Sequence, residues 1–173
     1  MGFALALFLF MRFLLKPSRP NLISAGIGFG FAQLLKFSAV ILLPLFLLLF
    51  ALFYFASVAR DWSQTTFLAR FSRFGIRAFR YFRSVIFIFG IGYLVVYAAY
   101  FVFTFNYPMA KQTADTRDIL SSFSVKPLAD FEVKLTENWL SRPLAQYLLG
   151  VFMVLQRGAG GNTTYFLGDL SAE

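Results

Sequence analysis

The sequence predicts an all-α integral membrane protein with about four transmembrane helices. Hydrophobic residues make up 59% of its 173 positions and charged residues only 14%, whereas charged residues make up roughly 25% of a typical soluble domain. The chain also holds 25 phenylalanines. A soluble fold of this size could not cover so much apolar side chain, so lipid must cover part of it.

The net charge of +8 is placed in a way that argues against nucleic-acid binding. Six of the basic residues lie between two long apolar runs, where the positive-inside rule puts cytoplasmic charge: Arg60, Arg70, Arg73, Arg77, Arg80 and Arg83. We therefore expect membrane lipids, and no nucleic acid, among the partners.

The chain contains no cysteine and no histidine. Disulfides, thiolate or imidazole metal sites and catalysts of the Ser-His-Asp or Cys-His type are therefore excluded. Any chemistry must use Asp, Glu, Lys, Arg, Tyr or Ser.

The first apolar run, residues 3–15, is predicted as a helix that is short for a membrane. At 1.5 Å per residue it reaches about 20 Å, against roughly 30 Å for the hydrocarbon core. A signal peptide is the alternative, but no basic region precedes the run and no small-residue cleavage site follows it. We therefore expect that the chain begins inside a longer transmembrane helix, and that residues 16–20 form a basic turn.

The second apolar run, residues 21–59, is too long for one straight crossing, since it would span close to 60 Å. Lys36 marks the break, because a lysine is costly in lipid and reaches for an interface. This divides the run into helices 22–35 and 37–59, and Pro44 is a candidate kink in the second helix.

Residues 62–83 are predicted as a cytoplasmic amphipathic helix in the headgroup layer. Arginines recur on one face and phenylalanines on the other, and the arginines facing the lipid headgroups are Arg70, Arg73, Arg77 and Arg80. The helix either sets the topology or recognises a lipid phosphate, and we favour the topological role. A transmembrane helix over residues 84–105 follows, with tyrosines toward its far end.

Residues 106–173 are predicted as an external, periplasmic segment that is water-facing but amphipathic. Two helices are expected in it. One carries Leu128, Phe131, Leu135 and Trp139 on a single face, and the other begins after Ser141 as N-cap. With the basic turn and the arginines inside, this segment lies outside the membrane, and the bacterial plasma (inner) membrane fits best.

Three features are candidate functional sites, and each also has a purely structural interpretation. Gly26–Gly30, GIGFG, resembles part of a dinucleotide loop, but no strand precedes it, so we favour close helix packing at GxxxG spacing. Lys36 is either a phosphate contact or an ordinary interfacial anchor. Asp169 and Glu173 are candidates for a base or a metal ligand, and plain solvated charges are the favoured alternative.

Two stretches also carry a family resemblance. Gly26–Leu45, GIGFGFAQLLKFSAVILLPL, combines a glycine-rich short helix, a lysine with a small polar residue, and a leucine-rich helix with proline. Arg142–Glu173 combines Pro, Tyr and Gly, a glycine-rich turn, and the tetrapeptide Tyr165-Phe166-Leu167-Gly168 followed by Asp169 and Ser171. Both resemble the polytopic GT-C glycosyltransferases, which include protein O-mannosyltransferases and the aminoarabinose transferases that modify lipid A.

The resemblance implies transfer of a sugar from a polyprenyl-phosphate-linked donor to an acceptor at the outer face of the membrane. It makes Lys36 a candidate phosphate contact and Gly168, Asp169 and Ser171 candidates for shaping the external pocket. No cofactor is identified, and a divalent metal is an option only for a full-length enzyme. The acidic external loop that carries the family's catalytic carboxylates has no counterpart here, so we expect a central fragment of a longer enzyme, with catalytic residues unknown.

The alternative function is a small non-enzymatic membrane protein that acts as a scaffold or senses anionic lipid. The arginine–phenylalanine helix supports it, as does the lack of an assembled catalytic constellation. A transporter is the weakest interpretation, because no internal repeat is visible and only one charge lies inside the predicted crossings.

Overall fold

The computed structural model describes the backbone of residues 1–61, 67–159, 164–166 and 169–171, and the side chains of residues 1–59 and 78–158. Within these residues the chain is helical apart from a short antiparallel hairpin, in which Tyr165 lies opposite Leu170. Two compact units are formed, Met1–Val96 and Tyr97–Glu173. The elements are α1 Gly2–Leu15, α2 Arg19–Leu35, a 3-10 helix Phe37–Ile41, α3 Leu42–Asp61, α4 Phe67–Thr104, α5 Met109–Ile119, a 3-10 helix Leu120–Ser122, α6 Lys126–Thr136, α7 Arg142–Ala159, β1 Thr164–Phe166 and β2 Asp169–Ser171.

Two stretches in the described part of the chain are long and apolar enough to cross a membrane, Phe37–Ala59 and Ala78–Thr104. Only 22% of each stretch is buried inside the protein, unlike the core helix of a soluble domain. The helix α1 is apolar but has 14 residues. The helical fold class and two candidate spans are thus as predicted, and four crossings stay a prediction.

The helix break at Lys36 is confirmed. Helix α2 ends at Leu35, and Lys36 has an extended backbone with φ −159° and ψ 123°. The buried side chain of Gln33 donates a hydrogen bond of 2.9 Å from Nε2 to the carbonyl of Ala39 in the following 3-10 helix. Pro44 lies in the first turn of α3, where a helix does not need the missing N–H, so no kink is required there.

The predicted boundary between an interfacial helix 62–83 and a span 84–105 does not coincide with a helix end. Helix α4 runs without interruption from Phe67 to Thr104, over 38 residues. Arginine, phenylalanine and leucine are all compatible with a helix, and the range contains no proline to stop it. The sequence of α4 can therefore change from arginine-rich to apolar while the backbone stays helical.

The glycines of α2 pack against two helices of the first unit. A Cβ added at Gly28 would lie 2.7 Å from Leu9 Cδ1 on α1. A Cβ at Gly26 would lie 2.7 Å from Ile91 Cβ on α4, and one at Gly30 would lie 2.8 Å from the carbonyl oxygen of Gly92. The glycine motif is therefore a packing surface, as the favoured interpretation predicted, because only Gly permits this approach of backbones.

Aromatic rings fill the core of the first unit. The rings of Phe10 and Phe46 stack with centroids 3.9 Å apart. Phe29 lies 5.6 Å from Phe46 and 5.0 Å from Phe89. One residue from each of α1 to α4 thus contributes to a continuous aromatic cluster, which packs those helices together.

Helices α5 to α7 build the second unit, together with the end of α4. Its apolar core consists of Leu120, Phe123, Ala129, Leu149 and Phe152. Helix α7 begins at Arg142 with Pro143 in its first turn, as predicted. The hydroxyl of Ser141 does not act as the expected cap, since it donates to the carbonyls of Leu135 and Asn138.

The glycine packing gives the first prediction. Gly30→Ala should destabilise the protein by about 1–3 kcal/mol, because the added methyl group meets backbone that cannot move aside. Gly90→Ala is the control, because a Cβ there meets nothing within 4 Å, and alanine favours the helix. Thermal unfolding in lipid nanodiscs measures both, and equal melting temperatures for the two variants would refute the packing role.

Candidate functional site

Lys36 is an exposed cation at a break between two apolar helices of the first unit. Its backbone is held on both sides, since its N–H donates to Ala32 and its carbonyl accepts from Ala39 N at 2.9 Å. No described side chain pairs with its ammonium group. The break therefore presents a positive charge that is available to an anion from outside the protein.

An apolar groove of about 560 Å³ lies between α3 and α4 in the same unit. Its lining residues lie from Leu47 to Phe55 on α3 and from Ala78 to Val85 on α4. They are aliphatic and phenylalanine side chains with two tyrosines, so the lining is almost entirely hydrocarbon. Leu47 lies about 16–22 Å along the helix axis from Lys36, at a helical rise of 1.5–2 Å per residue. Such a groove suits a lipid chain.

Among the other predicted site residues, Arg80 is the one whose side chain the structure describes. Arg80 is exposed on α4. The side chains of Arg70, Arg73 and Arg77 lie outside the described residues, as do Gly168 and Glu173. Asp169 and Ser171 lie on β2, opposite Phe166 and Thr164, and their side chains are also outside the described set.

A buried polar network centred on Arg142 was not anticipated from the sequence. Arg142 is 6% exposed, and its guanidinium donates from Nε to Gln112 Oε1 at 3.0 Å. Its Nη2 donates to the carbonyl of Thr104 at 2.8 Å, and it also donates to the carbonyl of Tyr107. A cation thus binds carbonyls at and just after the C-terminal end of α4, where the helix dipole favours positive charge.

Gln112 on α5 completes this network. Its Nε2 donates to the carbonyl of Arg142 and to Gln146 Oε1, each at 3.2 Å. Nearby, the hydroxyls of Thr113 and Thr136 lie 2.9 Å apart and join α5 to α6. Polar contacts therefore fix the first turn of α7 to α5 and to the end of α4.

Glu132 on α6 is the unusual member of this interior. Its side chain is 0% exposed, and neither carboxylate oxygen has a hydrogen-bond partner in the described part of the structure. Burial raises the pKa of Glu132 to about 8, and the nearby backbone N–H of Leu149 opposes this rise only in part. The carboxyl is therefore neutral at pH 7, because a charge without partners is expensive in an apolar interior.

The sequence did carry one signal for Glu132. Ala129, Glu132, Val133 and Thr136 recur at three- and four-residue steps and form the buried face of α6. Small residues at that spacing are typical of helix packing within membranes, but the larger apolar residues of the same helix were the more obvious candidates for a buried face.

The described residues contain no cluster of three or more acidic, histidine or cysteine side chains that could hold a metal ion. No known protein family, curated protein or solved structure matches this chain. The family resemblance therefore remains a prediction.

The buried carboxyl gives the second prediction. The unfolded chain releases the proton of Glu132 above pH 4.5, whereas the folded chain releases it only near pH 8. The folded protein therefore loses stability as the pH rises through this window, by up to about 1.4 kcal/mol per pH unit. Glu132→Gln removes this loss. Its melting temperature relative to the native protein should rise from pH 5 to pH 8.

Glu137→Gln is the matched control, because Glu137 is exposed directly after the same helix. Its melting temperature should follow that of the native protein across the same pH range. A difference between Glu132→Gln and the native protein that stays constant with pH would contradict the account of Glu132.

Proposed function

We propose that this chain forms part of a membrane glycosyltransferase of the GT-C type, which transfers a sugar from a polyprenyl-phosphate donor to an acceptor at the outer face of the bacterial plasma membrane. The observation that carries the proposal is Lys36, an exposed cation at a backbone break between apolar helices. The resemblance of residues 26–45 and 142–173 to that family supports it, as do two helices able to cross a membrane.

The proposed topology has four crossings. The turn at residues 16–18 and the arginines before Arg83 lie in the cytoplasm, in keeping with the positive-inside rule. The break at Lys36 then lies at the outer surface, where a lipid-linked sugar is presented. The segment after Thr104 lies outside, and the resemblance makes Gly168, Asp169 and Ser171 candidates for shaping an external pocket.

Lys36 has the chemistry to bind the donor phosphate. As the bond between the anomeric carbon and the phosphate oxygen breaks, its electron pair stays on that oxygen, and an ammonium group bound there stabilises the negative charge of the departing polyprenyl phosphate. The acceptor hydroxyl or amine attacks the anomeric carbon and gives its proton to a carboxylate acting as base. That base is not assigned to a residue of this chain. The apolar groove between α3 and α4 is the proposed place for part of the prenyl chain.

Lys36→Ala should reduce labelling by a photoreactive polyprenyl phosphate about tenfold or more, because a charge-assisted hydrogen bond contributes roughly 1.5–3 kcal/mol. Lys36→Arg should keep most of the labelling, since it keeps the charge. The measurement uses the protein in nanodiscs and counts crosslinked lipid per protein.

Lys16→Ala is the control, because Lys16 is an exposed lysine in the turn between α1 and α2. In the proposed topology it lies on the opposite side of the membrane. Equal labelling of Lys36→Ala and the native protein would overturn the donor site. A non-enzymatic scaffold or lipid sensor would then be the better account.

A further inference from the structure

The turn between α6 and α7, residues Glu137–Ser141, is inserted beside the outer end of α4. The hydroxyl of Tyr97 donates to the carbonyl of Leu140 at 2.9 Å. The ring of Trp139 packs edge-on against Phe101, with centroids 5.4 Å apart. Tyr97 and Phe101 belong to α4, so these two contacts fix the level of the turn along that helix.

This level lies below the end of the apolar stretch. Tyr97 precedes Thr104 by seven residues, or about 10 Å along the helix axis. Ala78–Thr104 has 27 residues and measures about 40 Å, so roughly 5 Å projects at each end of a 30 Å hydrocarbon core. The backbone of Tyr97 is therefore about 5 Å inside the hydrocarbon boundary and that of Phe101 lies at the boundary, and the two contacts hold Leu140 and Trp139 near these levels.

Several backbone polar groups of the turn find partners within the protein. Besides the bond from Tyr97, Leu140 N–H donates to Asn138 Oδ1 at 2.9 Å. The amides of Ser141 and Arg142 both donate to the carbonyl of Asn138, at 3.2 and 3.0 Å. Irregular backbone is tolerated at membrane depth only when its polar groups find partners in this way.

The two large side chains of the turn are more than half exposed. Leu140 is 64% exposed and Trp139 is 54% exposed. In water two such residues side by side would be an unfavourable surface. At this depth the same exposure places Leu140 in acyl chains and Trp139 at the boundary, the level that tryptophan prefers.

Helix α6 has the surface that lies alongside a membrane. At about 100° per residue, its positions divide into three faces. The charged face carries Lys126, Asp130, Lys134 and, just after the helix, Glu137, all exposed. The second face is buried, with Ala129, Glu132, Val133 and Thr136. The third is apolar, with Leu128 and Phe131 exposed and Leu135 partly buried.

We propose that the tip of this turn, Trp139 and Leu140, dips into the outer leaflet of the bilayer and that the apolar face of α6 lies on the membrane beside it. The partner of this surface is the lipid bilayer itself. The buried Arg142 marks the upper limit of the inserted part, because it bonds to the carbonyl of Thr104 at the end of α4. The inference requires that α4 crosses a membrane, and it does not depend on sugar transfer.

Fluorescence quenching tests the depth of Trp139. Trp62→Phe leaves Trp139 as the one tryptophan, since the chain contains two. In phosphatidylcholine–phosphatidylglycerol vesicles its emission should be quenched by lipids brominated on the acyl chain and hardly by aqueous iodide. The control combines Trp62→Phe and Trp139→Phe with Asp118→Trp at an exposed position of α5, and should show the reverse.

Labelling of single cysteines is the second measurement, and it needs no tryptophan variant because the chain has no native cysteine. In intact vesicles, Leu140→Cys should react with a membrane-impermeant maleimide at least tenfold more slowly than Asp118→Cys, and both should react after denaturation in detergent. Iodide quenching of Trp139 without lipid quenching would overturn the proposal, as would rapid labelling at both positions.

Discussion

Backbone polar groups must find partners wherever this apolar chain leaves a helix, and this constraint governs both units. At the turn after α1, Asn21 Nδ2 donates to the carbonyl of Lys16 at 2.7 Å. At the break after α2, Gln33 donates to Ala39. At the end of α4, Arg142 donates to the carbonyl of Thr104. In the turn between α6 and α7, the carbonyl of Leu140 accepts a hydrogen bond from the Tyr97 hydroxyl. Each break is thus closed by a side chain, as an environment with little water requires.

The second unit buries several polar side chains beside its apolar core and exposes several large apolar ones. Gln112, Glu132 and Thr136 are buried, whereas Leu128 and Phe131 are exposed. In water this arrangement would waste the hydrophobic effect. In the proposed position on a membrane, Leu128 and Phe131 lose nothing by facing outward. Gln112 and Thr136 bond to other groups of the unit, and Glu132 stays neutral.

The helical class, the break at Lys36 and the glycine packing surface were predictable because lipid restricts the choices so strongly. A lysine in a long apolar run has few acceptable places, and glycines at four-residue spacing have few other uses. The continuity of α4 was not predictable, since a helix can pass from an interface into a bilayer with no cap or proline to mark the change. The burial of Arg142 was missed because it depends on contacts with residues 30 to 38 positions away in the sequence. The burial of Glu132 was missed because it depends on the packing of α6 against α7.

The central claim is that this chain crosses a membrane and that its second unit lies outside. Impermeant maleimide labelling of single cysteines in sealed inside-out and right-side-out vesicles tests it most directly. Ser18→Cys, in the turn before α2, and Ser121→Cys, in the 3-10 helix after α5, are suitable because both positions are exposed. The account predicts that Ser18→Cys labels only in inside-out vesicles and Ser121→Cys only in right-side-out vesicles. Labelling of both from the same side would contradict it.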